Sequence, residues 1–164
     1  MTLSALRCSF PAWIVAWAMG VFGSSALIAY FGLSAPAALI GTGFDRLPAT
    51  TWAVGDEVGP VAKLLFGALL ALAFFATQRL SPDRAPIRYC ANAVAGIAAM
   101  AGALALIPAD YSRGFGIGLT GARFDPASLP LYVISAAAVG LVFTAALRTC
   151  QRRRRAIDTT RRIH

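Results

Sequence analysis

The chain has 164 residues, 58% of them hydrophobic and only 13% charged, with a formal net charge of +8 and a mean hydropathy of +0.67. Soluble domains run at about 45–50% apolar and about 25% charged residues, so this composition excludes an ordinary soluble domain and indicates an integral membrane protein. The positive balance would point to nucleic acid only on a soluble basic face; here the basic residues flank apolar runs, and nucleic-acid binding is set aside.

The first apolar run, residues 10–33, holds Trp13, Trp17 and Tyr30, residue types that favour membrane interfaces. The small residues Gly23-Ser24-Ser25-Ala26 are of the kind that ends a cleaved leader, but the run continues past them long enough to span a bilayer. A loop over 34–58 follows, rich in Ala, Gly, Thr and Pro, and contains Thr42-Gly43-Phe44-Asp45-Arg46-Leu47-Pro48, Trp52 and the acidic pair Asp56-Glu57. The second span is predicted over 59–78, with Pro60 in its first turn, where a missing amide hydrogen costs nothing.

A short basic loop with Arg79, Pro82, Arg84, Pro86 and Arg88 then divides the chain into halves. The third span is predicted over 89–107, ahead of Pro108. The loop over 108–128 carries Asp110, Arg113 and Thr120-Gly121-Ala122-Arg123-Phe124-Asp125-Pro126, and Leu129-Pro130 opens the fourth span, predicted over 129–147. A basic tail, 148–164, holds Arg152, Arg153, Arg154, Arg155 and the only histidine, His164. About twenty apolar residues cross a bilayer, so the expected fold is an all-α integral membrane protein of four transmembrane helices in a single domain, 1–164.

Basic residues near the spans set orientation. Arg7, Arg79, Arg84, Arg88, Arg148, Arg152 to Arg155, Arg161 and Arg162 fall on one side, against Arg46, Lys63, Arg113 and Arg123 on the other. This predicts both termini and the central loop in the cytoplasm, as expected for a bacterial inner-membrane protein. Both long loops then face outward. The order Thr-Gly, Phe-Asp, Leu-Pro occurs in each, with the two Phe-Asp pairs 80 residues apart. Each half enters, turns outside and returns, which suggests a parallel two-helix repeat. Asp125-Pro126 also suits the start of a helix, Asp as cap and Pro in the first turn.

Small residues mark the spans. Ala91, Ala95, Ala99 and Ala103 recur every four positions with Gly102 beside them, a stripe that admits another backbone at close range. This stripe is expected to pack helices within the bundle or to form a face for a partner. No Asp, Glu, Arg or His lies near the centre of a span. Ion-coupled carriers place ionisable groups at that depth, so a proton-coupled pump is disfavoured. Asn92 is the amide inside the third span, and Ser24, Ser25, Ser135 and Thr144 can bond to their own helices.

Cys8, Cys90 and Cys150 all fall at the end expected in the cytosol. A reducing compartment disfavours a structural disulfide, no Cys-x-x-Cys pair exists, and no histidine in the body of the chain completes a metal site. The expectation is three isolated thiols, with no metal and no cofactor. Gly116, Gly118 and Gly121 match a dinucleotide-loop pattern but lack the strand before and helix after that it requires. No nucleophile–base pair or paired carboxylates sit where catalysis could use them, so the chain reads as non-enzymatic.

Phe44, Asp45, Arg46, Arg123, Phe124 and Asp125 remain as candidate pairing or binding residues of the outer loops. Arg152 to Arg155 are candidate contacts for lipid headgroups, at about 1 kcal/mol per basic residue near an anionic surface. The function expected from these features is an accessory or structural subunit of a larger membrane complex, with membrane lipids and other subunits or further copies of the chain as partners. The alternative is a small channel or transporter moving a small solute or ion through a dimer or oligomer.

Overall fold

The computed structural model describes residues 3–31, 48–49, 51–52, 55, 60–80, 84–106 and 129–161. Nearly all of them lie in four long helices: α1 (Leu3–Phe31), α2 (Pro60–Leu80), α3 (Ala85–Leu106) and α4 (Leu129–Arg161). Each contains a stretch long and apolar enough to cross a membrane: Arg7–Ile28, Pro60–Leu80, Ala85–Leu106 and Leu129–Arg154. The chain is thus a multi-pass, all-α membrane protein.

Two helix ends differ most from the sequence expectation. α1 begins ahead of residue 10 and runs through Pro11, although that ring removes the amide donor that would reach Arg7. The first turns are held instead by packing, since Cys8 is buried against α4. α4 does not stop at 147 but continues through the arginine run to Arg161. Arginine is a good helix former, and neither Gly nor Pro occurs after Gly140 to break it. At 33 residues, with 1.5 Å rise each, α4 is about 50 Å long, well beyond the roughly 30 Å hydrocarbon layer.

Around the bundle, α1 packs on α4, α4 on α3 and α3 on α2, while α1 and α2 are the least closely packed of the four neighbouring pairs. The two halves are therefore packed unequally: α3 and α4 are pressed together where α1 and α2 stand apart. Lipid is as apolar as leucine, so this association rests on close van der Waals fit and interhelical hydrogen bonds. The fit is tightest at Gly96 and Gly140. A Cβ on Gly140 would overlap the Asn92 carbonyl and lie 2.5 Å from the Ala93 amide nitrogen, and one on Gly96 would overlap the Ala136 carbonyl.

The interior is filled by large side chains. Phe66, Leu70, Phe74, Met100, Tyr132 and Phe143 are all at least 98% buried. The Phe74 and Phe143 rings stack with centroids 4.0 Å apart and planes at 11°. Phe66 reaches into the notch at Gly20, where even one added carbon would meet its ring.

Candidate functional site

At the arginine-rich end of the bundle, three helices meet over a buried polar cluster. Asn92 on α3 is only 3% exposed. Its amide nitrogen donates to Thr144 Oγ1 on α4 at 2.9 Å, and its oxygen accepts from the Thr77 hydroxyl on α2. Thr144 Oγ1 donates in turn to the Gly140 carbonyl of its own helix at 2.9 Å. Thr77 Oγ1 also lies 2.9 Å from the Phe74 carbonyl. The cluster is possible because Gly140 lets α3 approach α4 closely enough for a short amide to reach a threonine.

A partly enclosed pocket opens from this cluster. Asn92, Thr144 and Leu147 form its buried floor, and the half-buried Thr77, Gln78, Arg88, Arg148 and Gln151 surround them. Its inner space is about 10 Å³, roughly that of one water molecule. The Arg148 guanidinium lies over the Tyr89 ring, 5.5 Å from its centroid, a cation–π contact that steadies it at the rim.

Between α1 and α2 lies a second, apolar opening of about 330 Å³, walled by Phe10, Trp13, Phe74, Phe75 and Phe143. The helices are bridged beside it by two indoles one turn apart. Trp13 Nε1–H donates to the Gly67 carbonyl at 3.1 Å, and Trp17 Nε1–H to the Lys63 carbonyl at 2.9 Å. The two ring systems stack at 5.8 Å with planes 3° apart. At the arginine-rich end of the opening, the Ser9 hydroxyl donates to Gln78 Oε1 at 3.3 Å. Trp17 thus serves as a bridge between helices, near the middle of the Arg7–Ile28 stretch.

The cysteines require a correction. Cys8 and Cys150 are not isolated: they form a disulfide, with Cα atoms 5.7 Å apart, that ties the start of α1 to α4 across 142 residues. The helix order decides this, because α1 and α4 are direct neighbours and α4 continues past the predicted end of the span. Cys90 alone is a free thiol, and it is exposed.

The alanine stripe lies between helices: Ala95, Ala99 and Ala103 are buried, while Ala91 and Gly102 are half-buried. A partner meeting α3 would therefore face Val94, Ala98, Ala101 and Ala105 instead, which are exposed. Of the tail residues, Arg152 and Arg153 are exposed and Arg154 is half-buried. The Arg155 side chain falls outside the described residues, as do Phe44, Asp45, Arg46, Arg123, Phe124, Asp125 and the glycine pattern at Gly116, Gly118 and Gly121. Ser24 and Ser25 bond back to the Gly20 and Val21 carbonyls, whereas Ser135 Oγ is buried with no partner among the described residues.

Sequence reasoning did not single out Thr77, Gln78, Gly96 or the indole bridges. Trp13 and Trp17 at i and i+4 carried the one usable signal, since that spacing puts both on the same helix face. No family model, curated protein or solved structure matches this chain.

Proposed function

We propose that the chain is a non-enzymatic subunit of a larger membrane assembly. The observation that carries this reading is the contrast between a filled interior and an open flank. The bundle axis is occupied by Phe66, Leu70, Phe74, Met100, Tyr132 and Phe143, which leaves the single bundle no route for a solute. The flank between α1 and α2, with Phe10 62% and Phe75 47% exposed, is where a helix of another subunit is accommodated. The excess of arginine at one end supports an orientation with both termini and the 79–88 loop in the cytoplasm, in a bacterial inner membrane.

The test uses a photo-crosslinking amino acid in native membranes. Placed at Phe75 it is expected to join a discrete protein partner, and at Val94, exposed on α3, it is not. Equal labelling at both positions, or none, overturns the subunit reading. Reconstitution of the purified chain into liposomes decides the rival: solute flux abolished by Asp125→Ala and Gly118→Leu would make it a channel or carrier of several copies.

A further inference from the structure

We propose that Cys8 and Cys150 form a redox latch that controls the apolar opening between α1 and α2. The latch acts on the flank assigned above to a partner, but it stands on the bundle's own contacts and needs no partner. α1 meets its two neighbours along two stripes. Cys8, Ala12 and Ala16, four residues apart, are buried, and Cys8 is bonded to Cys150 of α4. Ser9, Trp13 and Trp17, one position on, donate to Gln78, Gly67 and Lys63 of α2. Ser9, Phe10 and Trp13 also line the opening, together with Phe143 of α4. Cys150 is seven residues beyond Phe143, two turns along the same helix face, so the disulfide ties one wall of the opening to the other.

Pro11 divides α1 at this wall. Its ring carries no amide hydrogen, which leaves the Arg7 carbonyl without its helical donor, and sharp helix bends concentrate at such positions. The disulfide fixes the segment ahead of that hinge, residues 3–10, to α4. Without it Cys8 is a small buried thiol, and the Ser9 to Gln78 bond, at 3.3 Å, is long for a hydroxyl donor. Reduction thus frees residues 3–10 to turn about Pro11 and widens the opening at its arginine-rich end, while oxidation holds Ser9 and Phe10 in the wall. The chemistry is exchange with a low-molecular-weight thiol. Cys8 is 1% exposed and Cys150 half-buried, so the incoming thiolate attacks the Cys150 sulfur and releases Cys8 as a thiolate, which takes up a proton. A second external thiolate then attacks the mixed disulfide, Cys150 leaves and is protonated, and the two external thiols depart as a disulfide, having supplied both electrons. An external disulfide reverses the exchange and closes the latch. Cys150 lies 21 residues beyond Leu129, about 32 Å along α4, past the roughly 30 Å hydrocarbon layer and within reach of a water-soluble thiol.

The experiment uses the full-length chain with Cys90→Ser, which removes the exposed free thiol, purified in detergent and compared oxidised and after dithiothreitol. Hydrogen exchange of residues 7–10 is expected to quicken about tenfold or more on reduction, with α3 changing by less than about threefold. Pro11→Ala restores the missing bond and is expected to cut that acceleration to about threefold or less. Quenching of tryptophan fluorescence by a brominated detergent is expected to rise on reduction, and the rise to vanish in Trp13→Phe, which keeps Trp17 and Trp52 as reporters. Residues 7–10 that stay equally protected on reduction, or α3 quickening as much as they do, overturn the latch, and neither result depends on the folding of a helix-hinge variant. Full acceleration in Pro11→Ala overturns the hinge. Quenching that does not rise, or that rises equally in Trp13→Phe, overturns control of the opening.

Discussion

Replacing Gly140 by alanine tests the tightest helix contact at a glycine among the described residues. The added Cβ would overlap the Asn92 carbonyl and come within 2.5 Å of the Ala93 amide nitrogen. Ordinary contact begins at 3.4 Å, and both obstacles are backbone atoms that cannot turn aside. α3 and α4 must therefore part by about 0.9 Å or more. A gap of 0.5–1 Å forfeits about a quarter to a half of each dispersion contact across it, and overpacking of this kind costs roughly 1–3 kcal/mol. Alanine regains about 1 kcal/mol of helix propensity over glycine, so the net expectation is a loss of about 0–2 kcal/mol, and of about 1–3 kcal/mol relative to an alanine placed where the propensity gain comes without the clash.

Gly102→Ala is the matched control. Its Cβ would meet only Leu69 Cδ1 at 3.5 Å, an ordinary contact with the end of a side chain, so it should be neutral or slightly stabilising. Both variants can be unfolded reversibly in mixed micelles by titrating dodecyl sulfate, with tryptophan fluorescence as the signal. Equal midpoints for Gly140→Ala and Gly102→Ala would refute the assigned close approach.

Three further outcomes follow from the same geometry. Asn92→Leu removes one interhelical bond on each side but leaves Thr77 and Thr144 within reach of the Phe74 and Gly140 carbonyls. At about 0.6–1.7 kcal/mol for each of the two bonds its cost should stay near 1–3 kcal/mol, and a loss well above about 3 kcal/mol in the same titration would mean the cluster is more than a pair of such bonds. Trp13→Phe with Trp17→Phe keeps the stacked rings and deletes both donors to α2; it should cost about 1–3 kcal/mol and speed hydrogen exchange in α2 ahead of α3, while unchanged exchange would deny the bridge. Cys8→Ser should abolish a mobility difference between reduced and oxidised protein on gels. The oxidised wild type should unfold at a higher denaturant concentration than the reduced form, by less than the roughly 5 kcal/mol that closing so long a loop gives a fully unfolded chain, because spans that stay inserted are already constrained. Equal alkylation of Cys8, Cys90 and Cys150 in the folded oxidised protein would contradict the pairing.

The disulfide and the arginine distribution also make a joint statement about compartment. By sequence, eleven of the basic residues fall on the side assigned to Cys8 and Cys150, and under the proposed orientation the charge rule would keep that end in the cytosol, where thiols are held reduced. If the proposed orientation holds, rapid alkylation of cells before lysis is expected to trap Cys8 and Cys150 as thiols, with the disulfide of the structure closing only on oxidation. Trapping them already paired would place that end outside and reverse the orientation.

The membrane class and the four spanning helices of the described residues followed from the sequence alone, because they depend on a sum: enough apolar residues in a row outweigh any local preference. Pro60 marked the start of a helix for an equally local reason. The candidate site was not legible in this way. Asn92 stood out as a lone amide, but its partners are 15 residues away at Thr77 and 52 away at Thr144, and no periodicity links such positions. Cys8 and Cys150 looked like unrelated thiols because nothing local records that α1 and α4 are neighbours. That neighbourhood, the notch at Gly140 and the parted flank between α1 and α2 were decided only by tertiary packing. In a lipid setting every apolar face is equally content with solvent, so the choice of neighbour falls to close fit and a few hydrogen bonds, which exist only once the helices are side by side.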